Sequence, residues 1–190
     1  MQLRSPPCKA ASTALLLLLL GCSGPDPEPS PPCEQKCQDG NALRALRETL
    51  KLAFNLTLQG NDVGAQDETT ACPMGGAARV FGQATANAIQ GAIEVDLTYQ
   101  LMQCAYLQRD EDPPENYDMT LNGTVLQKGT IAVQPSVTTA LNMSSEAMSF
   151  SGNVYDPPIE YQEDACSVVM GQNGNRVSGT ICEREAGVNF

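Results

Sequence analysis

The 190-residue chain has no histidine and no tryptophan, and its aromatic content is only 5%. Without an imidazole there can be no Ser-His-Asp triad, no Cys-His nucleophile pair and no histidine metal ligand. Ser-x-x-Lys, Gly-x-Ser-x-Gly and phosphate-loop motifs are missing as well, so no enzyme class and no cofactor is indicated. Two carboxylates could in principle form a glycosidase pair, but so few aromatics leave no platform for a sugar. Basic residues are scarce too, 11 Lys and Arg against 22 Asp and Glu, for a formal charge of −11. That balance repels phosphate backbones and excludes nucleic acid as a partner. A run of about 20 apolar residues, enough to span a bilayer as a helix, is also lacking, the longest being about half that.

That shorter run lies at the start of the chain. Arg4 and Lys9 precede an apolar stretch from Ala10 to Leu20, six leucines long at its end, followed by Gly21 and Cys22. A basic head, a short apolar core and a small residue before the cleavage point make a secretory signal over residues 1–21. Leu19-Leu20-Gly21-Cys22 resembles the lipobox of bacterial lipoproteins. The resemblance implies cleavage before Cys22, a diacylglycerol on its sulfur and a fatty acid on its amino group. Each buried methylene contributes roughly 0.8 kcal/mol, so the chains together form a lasting membrane anchor. Ser23 follows, where this family's inner-membrane retention signal places Asp, which by resemblance points to the outer membrane of a Gram-negative cell.

The leader takes two of the 11 basic residues and none of the 22 acidic ones, so the mature chain stands at −13. Its first segment, residues 22–32, joins the lipidated cysteine to SGPDPEPSPP. Five prolines in those ten residues make an extended tether of about 3.1 Å per residue. Residues 33–190 then form a single β-rich domain. Removing Cys8 with the leader and assigning Cys22 to lipid leaves Cys33, Cys37, Cys72, Cys104, Cys166 and Cys182. An even number in an exported protein implies three disulfides, with 15 possible connectivities. Pairing of Cys33 with Cys37 one helical turn away, of Cys72 with Cys104 and of Cys166 with Cys182 is the expected set, with a bridge from Cys33 or Cys37 to a distant cysteine as the alternative. Metal binding is disfavoured because no pair of Cys-x-x-Cys motifs is present.

Leu43, Leu46, Leu50 and Phe54 recur at steps of three and four, predicting an amphipathic helix over 41–54 with Asp39 or Asn41 as its N-cap. Arg44, Arg47 and Lys51 form a basic row expected to face solvent or the domain's own carboxylates. Residues 60–71 read as a polar loop. Beyond it the apolar period is two. Strands are expected over 79–85, from Ile93 to Leu101 with a bulge flipping the phase toward Met102, Cys104 and Tyr106, and from Tyr117 to Val125. Further strands follow through Ile131 to Met143, broken at Pro135, and through Met148 to Val154. A terminal hairpin turns at Asn173-Gly174 and places Met170 opposite Val177, with Cys182 on the face away from Cys166, so that their bridge needs a bulge or a three-residue turn that shifts the pairing by one. The fold class is therefore mainly β: a curved antiparallel meander or partial barrel of about seven to eight strands, with one N-terminal helix packed on it. A two-layer sandwich is the alternative. Cys72-Pro-Met-Gly-Gly and Val177-Ser-Gly-Thr-Ile-Cys182 resemble β-rich lipoproteins of Gram-negative bacteria, which implies no particular activity.

Asp110, Glu111, Asp112, Glu115 and Asp118 form the densest acidic cluster, around Pro113-Pro114. Without the alternate-acid spacing of a calcium loop they read as solvated turn residues. The expected function is that of a membrane-anchored envelope lipoprotein acting as a structural or protein-interaction module. The alternative is a carrier that holds a lipid or other apolar ligand between sheet and helix. The partners expected are the membrane, through the anchor, and an envelope protein.

Overall fold

Each of eight strands pairs antiparallel with its sequence neighbours, in the order β1 to β8 with no crossover. The computed structural model describes residues 32–87, 89–109 and 115–190, all within one compact unit, Pro31–Phe190. The signal, Cys22 and all of the tether before Pro32 lie outside the described residues.

Helix α1 (Gln35–Thr57) comes first, then β1 (Gly64–Ala71), β2 (Ala77–Asn87), β3 (Ala92–Gln108) and β4 (Tyr117–Ala132). Strands β5 (Ala140–Val154), β6 (Ile159–Asn173), β7 (Arg176–Ile181) and β8 (Arg184–Asn189) complete the meander. Strands β1 and β8 are its two free edges, so the sheet is open. The fold is mainly β with one helix, as the period-two pattern requires.

The helix begins six residues earlier than its apolar stripe suggests. Glu34 is the N-cap and makes no side-chain cap bond, while Asp39 and Asn41 are buried inside the helix. Polar residues there extend the helix because they face the protein: Asp39 meets Arg184 and Tyr161. At the other end Asn61 donates to the Thr57 carbonyl, satisfying one of the orphan acceptors of the last turn. Leu43, Leu46 and Leu50 lie at 0–2% exposure and pack on the sheet.

The inner face of the sheet is filled by Val80, Leu97, Tyr99, Leu101, Met119, Leu121, Met148, Phe150, Met170 and Ile181. Aliphatic side chains and methionine do the packing that aromatics do elsewhere. The phase flip in β3 is a bulge between Leu101 and Cys104, with Gln103 at φ +53°. Cys104 resumes the inward face, but Met102 is 39% exposed, so it belongs to the bulge and not to the core.

Two strands differ from expectation. Gly64–Ala71 is the edge strand β1, not a loop; its polar sequence suits an edge, where charge and exposure discourage further pairing. Strand β8 carries too few apolar residues to show a period. Conversely, Ile131 lies near the end of β4, Pro135 lies in the connection, and Ala140–Val154 form one bulged strand, β5.

The terminal hairpin turns one residue later than the Asn-Gly signal indicates. Asn173 pairs with Arg176, Gln172 with Val177, Met170 with Gly179 and Val168 with Ile181. The turn is Gly174-Asn175, with a positive φ at Gly174 only, the pattern of a type II′ turn that wants glycine first. Because the pairing moves by two residues, the inward faces of both strands are preserved.

Candidate functional site

The cysteines pair as expected. Cys33 joins Cys37, Cys72 joins Cys104 and Cys166 joins Cys182, with Cα separations of 5.2, 5.4 and 4.7 Å. The last pair forms without the one-residue shift of the β6–β7 pairing. Cys182 lies in the β7–β8 turn beside Glu183, both at positive φ, and so is released from the alternation that would have faced it outward. The Cys72–Cys104 bridge ties the β1–β2 turn to the β3 bulge. Met74 N donates to Ala105 O at 3.1 Å, and Ala105 N donates to Gly75 O at 2.9 Å. Gly76 makes that approach possible, since a Cβ there would meet Gln103 O at 1.9 Å.

The basic row of α1 is largely covered, not solvated. Arg44 and Arg47 both lie over the Phe190 ring, 4.9 and 4.3 Å from its centroid. Arg44 also donates to Asn189 O at 2.9 Å and pairs with Glu115 at 2.9 Å. Glu48 pairs with both Arg47 and Lys51, and only Lys51 is well exposed. Of the acidic cluster, Glu115 meets the helix, and Asp118 is an exposed residue of β4. Asp110, Glu111 and Asp112 lie outside the described residues. Among the described residues no group of acidic, cysteine or histidine side chains is placed to hold a metal.

A buried ionic network was not visible in the sequence. Asp39, 1% exposed, accepts from Arg184 Nε at 2.8 Å and Nη2 at 2.9 Å, from the Tyr161 hydroxyl at 2.9 Å and from Gln35 Nε2 at 3.0 Å. Arg184 Nη2 also reaches Glu163. Burial works to raise the Asp39 pKa, but the hydrogen bonds from Arg184, Gln35 and Tyr161, with the guanidinium charge, hold it below the usual carboxylate value. Burial, then the Asp39 charge, pushes the Tyr161 phenol up. Arg184 is likewise held more firmly protonated, first by its bond to Asp39. Every member is satisfied and the network joins α1, β6 and β8, so its role is to hold the helix on the sheet edge.

A cleft lies between the C-terminal half of α1 and the sheet. It holds about 200 Å³ and is bounded by Leu50 and Phe54 of α1, Tyr99 of β3, Ile131 of β4 and Leu141 and Met143 of β5. Arg47, Lys51 and Gln172 are also among its bordering side chains, and no carboxylate is. Tyr99 is fully buried, its hydroxyl has no hydrogen-bond partner among the described residues, and burial pushes its pKa up. No described helix is long and apolar enough to cross a membrane. No family model, curated protein or solved structure matches this chain.

Proposed function

We propose that this chain is a lipid-anchored protein of the cell envelope, a binding or structural module and not an enzyme, carried on a proline tether at the outer membrane of a Gram-negative bacterium. The observation that supports this most is the cysteine accounting. All six cysteines after the tether are consumed pairwise within the β-domain, which leaves Cys22, in its Leu-Gly-Cys setting, free for acylation. Three disulfides suit an oxidising compartment. The open edge β8 is the surface where an envelope partner would add to the sheet.

Mass spectrometry of the N-terminal peptide from membrane-derived protein tests the anchor. Expected is a chain beginning at Cys22 with a thioether-linked diacylglycerol and an amide-linked acyl group. A free Cys22 thiol, or a chain starting elsewhere, would refute the reading.

The cleft favours a second reading, a carrier. Apolar walls between sheet and helix are the arrangement such a protein needs, and native mass spectrometry showing a co-purifying small molecule would support it.

A further inference from the structure

We infer that the cleft beneath the C-terminal half of α1 binds a small organic anion, an apolar body carrying one carboxylate. This rests on the carrier reading and narrows its ligand from apolar molecules in general to that class. Size and lining set the apolar body. The cleft holds about 200 Å³ and is walled by Leu50, Phe54, Ile131, Leu141 and Met143. An apolar cavity of about 150 Å³ takes up benzene, whereas pockets for drug-sized ligands begin near about 300 Å³. One ring or a short chain fits; a whole acyl lipid does not.

Gln127 calls for a polar group. It lies within β4 on the inner face of the sheet, paired with Leu97 of β3 and Met143 of β5, and is 4% exposed. Its side-chain amide makes no hydrogen bond to any described residue, yet neither its oxygen nor its nitrogen is sealed, so the amide opens on the cleft that Gln127 borders. A buried amide is nearly always bonded, and its two N–H groups require an acceptor. Charge decides which acceptor. Arg47 and Lys51 border the cleft and no carboxylate does. Glu48, outside the lining, serves both, which leaves one positive charge over. Arg47 is further engaged by Gln172 at 3.3 Å and by the Phe190 ring. Lys51 is the looser of the two, 3.8 Å from Glu48 with its side chain 55% exposed. The last-turn carbonyls of α1, which would repel an anion, already accept from Thr57, Leu58 and Asn61. A carboxylate answers both the amide N–H groups and the uncompensated ammonium, through charge-assisted hydrogen bonds that a neutral head cannot make to Gln127.

Benzoate, benzyl alcohol and benzylamine vary the head group at nearly constant size. The full chain, kept free of acyl groups and detergent by Cys22→Ser and labelled with ¹³C-methyl methionine, is titrated with each at neutral pH while the Met143 resonance is followed. A saturable Met143 shift is expected with benzoate, with benzyl alcohol weaker by about tenfold or more and benzylamine weaker again. The test is stringent because benzoate is more strongly hydrated than benzyl alcohol, so a slot that recognises only the ring would prefer the alcohol. Lys51→Met should weaken benzoate by about threefold to tenfold and leave benzyl alcohol unchanged. Gln127→Leu should weaken benzoate by about as much, while the ligand-free protein melts no lower, since the amide removed has no partner to lose. A lower melting temperature in that variant would make Gln127 a structural residue and overturn its part in recognition. Benzyl alcohol or benzylamine binding as tightly as benzoate would overturn the anion and leave the carrier reading standing. No Met143 shift with any of the three would overturn the cleft as a site and the carrier reading with it.

Discussion

Replacing Asp39 by Asn is expected to destabilise the β-domain by about 3 kcal/mol, lowering its melting temperature by roughly 6–12 °C at neutral pH. The variant keeps the shape and one acceptor oxygen but removes the charge that holds Arg184, and it leaves a guanidinium against a neutral amide in a site where the carboxylate is 1% exposed. The loss stops short of the 5 kcal/mol seen for fully buried pairs because Arg184 is 36% exposed and retains Glu163. The pH dependence has a definite sign. Asp39 is more acidic in the folded protein than in the unfolded chain, whose value is about 3.9, so its contribution is complete above that pH and fades as pH falls through the lower folded value. Thermal melts of both proteins should therefore differ most above about pH 5 and converge in acid. A constant difference down to pH 2 would show that the variant acts through packing and not through charge. Asp67→Asn is the control: its pair with Arg79 lies on exposed β1 and β2 side chains, and no measurable change is expected.

Removing the Cys72–Cys104 bridge with paired alanines is expected to cost the most of the three disulfides. Closing a loop of 32 residues restricts the unfolded chain by about 4 kcal/mol on the chain-entropy account, roughly 8–16 °C in melting temperature. The 16-residue Cys166–Cys182 loop corresponds to about 3 kcal/mol, and the four-residue Cys33–Cys37 loop to about 2. The first bridge has a local role as well, since it ties the β1–β2 turn to the β3 bulge, where Ala105 pairs with both Met74 and Gly75. Urea melts of the three double variants check the ranking. If loss of Cys33–Cys37 proved as damaging as loss of Cys72–Cys104, the unfolded-state account would fail and native contacts at the helix start would have to carry the difference.

Legibility in the sequence followed the length scale of each interaction. Leu43, Leu46 and Leu50 announced a helix, and Val95 to Leu101 a half-buried strand, because periodicity is set by neighbours a few residues apart. The bulge in β3 was legible for the same reason, as a change of phase between Leu101 and Cys104. Strand β1 escaped because an edge strand is exposed on its polar residues, so Gln66 to Thr70 look like loop. The helix start escaped because Asp39 and Asn41 resemble caps until a residue 145 positions away, Arg184, gives one of them a buried partner. The hairpin turned at Gly174-Asn175 because type II′ geometry needs its glycine first, which Asn173-Gly174 cannot supply. The cleft and the orphan Tyr99 hydroxyl depend on five separate elements meeting, and no local pattern encodes that.

The central proposal, a self-sufficient β-domain held at a membrane through one cysteine, is tested most directly by fractionating cells that produce the Cys22→Ser chain. The account predicts that the native protein sediments with the outer membrane, whereas the variant leaves that fraction with its three disulfides and its melting temperature unchanged. A Cys22→Ser protein that still sediments with the outer membrane would contradict it.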